Sequence, residues 1–151
     1  MVEGLIFAAL VFAAAMSGAL FMPGAWYAGL NKPSWTPPNW LFAPAWSVLY
    51  IMIAFAGYYV WQAAGFGLAL ALWGAQLVFN AAWSYFFFGR KAMRLALIDS
   101  VLMLASIVAF IVVTWSISPI AAMLFLPYLA WVTFATVLNY AMIQYNPQET
   151  G

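Results

Sequence analysis

The sequence contains no cysteine and no histidine. That removes disulfides, thiolate chemistry, zinc sites of the usual ligand set, and the imidazole behind most general-base and haem-ligand roles. Charge is almost as scarce: four basic and three acidic residues make up 5% of the 151, against roughly 25% in an ordinary soluble domain. A net charge of +1 with no basic stripe excludes nucleic acid as a partner. There is also no carboxylate pair, no glycine-rich phosphate loop, and no serine beside an evident base. Conventional hydrolytic or group-transfer catalysis therefore has no residues to carry it.

What is present is apolar and aromatic: 69% of the residues are hydrophobic and 20% are Phe, Trp or Tyr, including nine tryptophans. No water-soluble surface can be made from this inventory. At roughly 20 residues per crossing, the length allows about five membrane spans. The first apolar run, 5–22, carries Glu3 ahead of it instead of a basic region and is too long for an ordinary cleaved signal, so it reads as the first crossing. Pro23 and Gly24 end it. Further crossings are expected at 41–62, 67–88, 92–116 and 120–145, joined by short links containing Gly65, Gly89 and Pro119 that predict antiparallel neighbours. The stretch from Gly24 to Pro44 is too rich in proline to span, which makes 23–40 a long structured loop. Its Trp26, Trp35 and Trp40 suit either an interfacial anchor or a lid. The expectation is an all-α protein: one domain, 1–151, forming an integral membrane bundle of five transmembrane helices with a long structured first loop. Lys32 in the first connection and Arg90, Lys91 and Arg94 in the third fall on one side. The positive-inside rule makes that side cytoplasmic, with the C-terminus there and the N-terminus outside.

In such a chain, polar groups at membrane depth are the informative ones, because they are costly without a partner, water or a ligand. Gln76, Asn80 and Ser84 recur at intervals of four on the third span, beside Trp83. Their spacing leaves open interhelical hydrogen bonding and a ligand-facing stripe. Asp99 is the acidic residue well inside a span and reads first as a protonated, structural carboxyl; Asn139 joins Gln76 and Asp99 as a structural polar group. Trp46 and Tyr50 on the second span, and Tyr128, Trp131, Ala135, Leu138 and Asn139 on the fifth, each lie near one face. Such walls, with a small residue at Ala135 and donors from Tyr50, Asn80 and Ser84, suit a flat, largely apolar ligand several rings wide. A light-absorbing ligand stacked on Trp46 or Trp131 could undergo photochemistry that needs no proton-transfer residue. Small residues Ala14 and Gly18 allow close helix packing on the first span, and Gly67, Ala71, Gly74 and Ala75 on the third offer a homodimer contact.

Several motifs together resemble one family. Trp26-Tyr27, Leu30-Asn31-Lys32-Pro33-Ser34-Trp35-Thr36-Pro37-Pro38 and Ala45-Trp46 open the match. Phe79-Asn80, Trp83-Ser84, Phe88, Leu126-Pro127-Tyr128-Leu129-Ala130-Trp131, Phe134-Ala135-Thr136 and Leu138-Asn139-Tyr140 carry it along nearly the whole chain. The pattern is similar to the translocator protein family, also called tryptophan-rich sensory protein or peripheral-type benzodiazepine receptor.

The resemblance implies a five-helix bundle, commonly a homodimer, whose first loop covers a pocket for porphyrins, sterols and benzodiazepine-site ligands. By matching position the pocket would use Tyr27, Pro37, Trp46, Tyr50, Asn80, Trp83, Ser84, Phe87, Ser100, Leu104, Trp131, Ala135 and Leu138. No cofactor is obligatory; protoporphyrin IX or a haem-like tetrapyrrole is the implied ligand. Without histidine or cysteine, a metalloporphyrin would bind through its ring faces or edges, or through a weaker ligand such as Tyr or Met. Trp46 and Trp131 match the tryptophans that bacterial relatives are thought to use in light-dependent protoporphyrin degradation, the catalytic alternative to sensing or moving tetrapyrroles. The basic residue that the animal cholesterol consensus needs after Leu-Asn-Tyr is absent: Ala141-Met142-Ile143-Gln144 follows instead. That departure weakens the sterol-transporter alternative and points to a bacterial membrane.

Overall fold

The computed structural model describes residues 2–151, and all of their regular structure is helical. In chain order the elements are α1 (Val2–Leu20), α2 (Ala25–Gly29), α3 (Asn39–Ala64), α4 (Leu68–Ser84), a π-helical turn (Tyr85–Gly89), α5 (Met93–Thr114), α6 (Pro119–Leu124) and α7 (Leu126–Tyr145). Four stretches are long and apolar enough to cross a membrane: α1, α3, α5 and the run Pro119–Tyr145 made by α6 and α7.

Three expected boundaries are corrected. The single helix expected over 67–88 is α-helical only to Ser84 and then widens, with the Arg90 amide donating to the Tyr85 carbonyl at 2.7 Å, a π-type bond. The helix expected over 120–145 is interrupted at Phe125, because Pro127 has no N–H to continue the ladder of α6 and restarts it as an early residue of α7. The Pro-rich loop ends at Pro38, and Pro44 lies inside α3. Its missing donor leaves unpaired only the carbonyl of Trp40, a residue exposed near the start of the helix. Within the loop itself, 23–38, the short α2 and a turn in which the Thr36 amide donates to the Pro33 carbonyl supply local structure.

The helices form a closed ring. α1 packs on α3 and α4, α4 runs along α5, α5 lies along α7, and α6 returns the path to α3. The short link 65–67 does not make α3 and α4 extensive neighbours as expected; they meet at a few points across the ring, with α1 against both. One such point is tight. Gly57 of α3 lies under the Trp73 indole, and a Cβ there would stand 2.5 Å from the Trp73 ring and 2.7 Å from Phe7. Trp73 donates its Nε1–H to the Ile53 carbonyl at 2.8 Å and meets Phe7 edge to face at 5.0 Å. This end of the bundle is filled by Ile53, Ala56, Val60, Ile107, Phe110 and Phe125, all fully buried. On α1, Gly18 brings the backbone close to Ser84, while the Ser17 hydroxyl donates to the Ala81 carbonyl. The small residues of that helix thus serve α1–α4 packing.

Candidate ligand chamber

The opposite end of the ring lies beneath the loop. There α3 contributes Trp46 and Tyr50, four apart and therefore on one face; their rings stack at 5.4 Å. α7 contributes Trp131, whose ring meets Trp46 edge to face at 6.4 Å and 90°. Phe42 and Phe134 flank Trp131 at 5.9 and 5.8 Å. The π turn delivers Phe87, buried and stacked on Trp83 at 4.9 Å. From the loop, Tyr27 packs edge-on against Phe87 and Phe88 at 6.3 and 5.5 Å, and Trp35 against Phe134 at 5.8 Å. Leu138, Met93 and Ala96 complete the apolar wall.

A chain of hydrogen bonds underlies this aromatic cluster. The Tyr50 hydroxyl donates to Asn80 Oδ1 at 2.9 Å, Asn80 Nδ2 donates to the Tyr128 oxygen at 2.9 Å, and Tyr128 donates to Gln76 Oε1 at 2.8 Å. Gln76 closes the chain by donating to the Trp73 carbonyl at 2.7 Å. Every member with a buried polar group is satisfied, which holds three helices in one register. A second polar link stands nearer the loop: Trp83 Nε1 donates to Asn139 Oδ1 at 3.2 Å, and Asn139 Nδ2 donates to the Met93 carbonyl at 3.0 Å.

Among the described residues, three buried side-chain polar atoms have no partner: Trp131 Nε1, Thr36 Oγ1 of the loop, and Asp99 Oδ2. An orphaned buried donor is costly and needs an explanation, of which a ligand is one. Tyr27 is buried against the wall with the Lys32 ammonium 4.6 Å from its ring centre, and burial raises its phenol above the ordinary value.

Of the residues expected to form a pocket, Trp46, Tyr50, Asn80 and Trp131 are brought together around Tyr128; Trp83, Phe87, Leu138 and Tyr27 adjoin beneath the loop. Pro37 is half-buried in the loop and Ala135 half-buried on α7. Ser100 is buried but spends its hydroxyl on the Leu97 carbonyl of its own helix. Leu104 packs partly on the core and partly lines a shallow outer groove with Val101, Ala105 and Val108. Ser84 is drawn toward Gly18 of α1, apart from the Gln76 and Asn80 network. The physical reason is that each step of four advances a helix by about 40° beyond a full turn, so a stripe at i, i+4 and i+8 drifts off one face. Asp99, on the buried side of α5, is one turn from Met103, whose sulfur lies 3.4 Å from the Tyr128 hydroxyl. Gly67, just before α4, and Ala71 on it are exposed, and a Cβ at Gly67 or Gly74 would meet nothing.

Tyr128, expected on the Trp131 face of the fifth span, is the hub of the hydrogen-bond chain, a role its spacing did not mark. The π turn that seats Phe87 follows a Phe-rich run but has no sequence signature of its own.

Comparison with known proteins gives a consistent picture. The TspO/MBR family model matches residues 6–145. Protein CrtK of Rhodobacter capsulatus is 41% identical over 140 residues, covering 90% of this chain and 88% of the relative. The tryptophan-rich sensory protein of Cereibacter sphaeroides is 42% identical over 142 residues, covering 94% and 90%. The translocator protein of Homo sapiens is 43% identical over 126 residues, covering 80% and 75%.

Proposed function

The chain belongs to the TspO/MBR family, and from that premise we propose that it binds a protoporphyrin-type tetrapyrrole among Trp46, Asn80, Trp131 and Ala135, beneath the loop that ends at Pro38. A membrane sensor or translocator function follows from the family; the tetrapyrrole is the finer reading. The observation that carries it is the buried, unpartnered Trp131 Nε1 beside the perpendicular Trp46 ring. A flat ligand entering there exchanges an indole–indole contact for two ring faces and offers a carboxylate or ring nitrogen to the orphaned donor. In this reading the helix Leu68–Ser84, prolonged by its π turn, is the fifth crossing beside the four long spans. The loop lies on the cytoplasmic side with Lys32, Arg90, Lys91 and Arg94, and the N-terminus outside. Cysteine is absent from the chain, so single cysteines introduced at Lys91 and Gly67 should be labelled from the cytoplasm and from outside, respectively.

Titration of the purified protein with protoporphyrin IX should quench tryptophan emission saturably. Trp131→Phe combined with Ala135→Leu should weaken the binding at least tenfold. Unchanged emission in the wild type, or undiminished binding in the double variant, overturns the assignment.

The close Trp46–Trp131 pair favours a second reading, in which bound porphyrin is consumed under light with dioxygen as the oxidant. Loss of porphyrin absorbance at the same rate in Trp46→Phe and Trp131→Phe would remove these residues from that chemistry. The small surface made by Gly67, ahead of α4, and by Ala71, Gly74 and Ala75 on it is the proposed contact of a homodimer.

A further inference from the structure

We propose that the turn following α7, residues 146–150, is a latch that holds the loop closed over the chamber, so that ligand exchange requires its release. The gating half rests on the ligand-binding reading above; the latch itself does not.

The loop is tied to the rest of the molecule through very few polar bonds. Among the described residues, apart from the local bond of the Leu41 amide to the Pro38 carbonyl where the loop runs into α3, hydrogen bonds from 24–38 to other parts of the bundle end on residues 145–149. Asn146 makes the main pair. Its Oδ1 accepts from the Asn31 amide and its Nδ2 donates to the Asn31 carbonyl, each at 2.8 Å. One side-chain amide thereby satisfies both backbone groups of one loop residue, as a neighbouring strand would. Asn146 is buried and also donates to the Met142 carbonyl at 2.9 Å, so its orientation is set by α7. Farther along the turn, Glu149 Oε2 accepts from Trp26 Nε1 at 3.0 Å. Thr150 is buried, and its carbonyl accepts from the Arg94 amide at 3.4 Å, which anchors the turn to the start of α5.

The held segment is tied together internally. Lys32 Nζ donates to the carbonyls of Ala28 and Leu30 at 3.3 and 3.1 Å while covering the Tyr27 ring, which links the residue after Asn31 to the backbone around Tyr27. Tyr27 is buried against Phe87 and Phe88, and Trp26 beside it meets Phe87 edge-on at 5.9 Å. The Trp26–Glu149 bond is exposed, where water competes for both partners, so it is the weaker catch. The family match ends at residue 145, one residue before Asn146.

Hydrogen exchange in the full-length, ligand-free protein tests the latch without any ligand. In Asn146→Ala the Asn31 amide and its neighbours over 25–36 should exchange about tenfold faster, while the amides of α3 and α5 keep their protection. Glu149→Ala should give a smaller increase, and Glu149→Gln none, because its amide oxygen still accepts from Trp26. Protoporphyrin IX should also dissociate about tenfold faster from Asn146→Ala. Unchanged exchange at Asn31 in both alanine variants overturns the latch. Faster loop exchange with an unchanged porphyrin off-rate overturns gating. A wild type that binds no porphyrin counts against the chamber, and exchange still decides the latch. Glu149 is exposed, so its variants remain informative if Asn146→Ala misfolds.

Discussion

The two ends of the ring are built from the same residue types and packed to different standards. At the end away from the loop, Trp73 is buried, donates to Ile53, and is wedged against Phe7 and Gly57 with no space for a methyl group. At the loop end, Trp46 and Trp131 are only partly buried, meet edge to face, and leave the Trp131 donor unpaired. An indole that is satisfied and enclosed serves the fold, whereas one that is half-enclosed and unsatisfied is available to something else. The Tyr50–Asn80–Tyr128–Gln76 chain divides the two, since it ends on Trp73 at one side and on the stacked Trp46–Tyr50 pair at the other.

The comparison breaks most readily at Gly57. Gly57→Ala forces a Cβ into the Trp73 and Phe7 rings and should destabilise the bundle by about 1–3 kcal/mol, read as a lower thermal midpoint in detergent. Tyr128→Phe should cost about 1–2 kcal/mol, because it strands both Asn80 Nδ2 and Gln76 Oε1 in the interior. A midpoint shift as large from Ala135→Leu would contradict the looser packing assigned to the loop end. That variant should instead weaken protoporphyrin binding about tenfold while leaving stability within about 1 kcal/mol. Gly74→Leu sharpens the contrast from outside: the residue lines a shallow groove of about 400 Å³ with Leu10, Ala13 and Ala14, where an added Cβ meets nothing in the protomer. It should alter crosslinking of the proposed dimer with little change in protomer stability.

The smallest effect concerns pH. Burial raises the Tyr27 phenol above 10.0, so the folded loop holds its proton where the unfolded chain has begun to lose it. The associated stability is complete below pH 10.0 and is lost as pH rises through the folded-state value. Phenolate absorbance of Tyr27, isolated by comparison with Tyr27→Phe, should appear later than that of a free tyrosine.

Helical spans were legible because their apolar runs are long and ended by Pro and Gly, signals that act locally. The aromatic cluster beneath the loop was legible in part. Trp46 with Tyr50, and Trp131 with Ala135, sit four apart, so a single helix face announces each pair. Ser84 read as the third member of a stripe, but helical drift carries it to α1. Neither the π turn nor the break at Phe125 can be placed by periodicity, which registers only that the run remains apolar.

Composition and pattern alone required an all-helical, membrane-embedded chain, since so few charges cannot coat a soluble surface and an unpaired backbone is too costly in lipid. Which indole is satisfied, and which is left with a free donor, was decided by the closing of the ring. So was the meeting of Asn31 with Asn146, which are 115 residues apart. Helix propensity and hydropathy act over a few turns, whereas hydrogen-bond partners between spans depend on how each helix is rotated against its neighbours, and only packing sets that rotation.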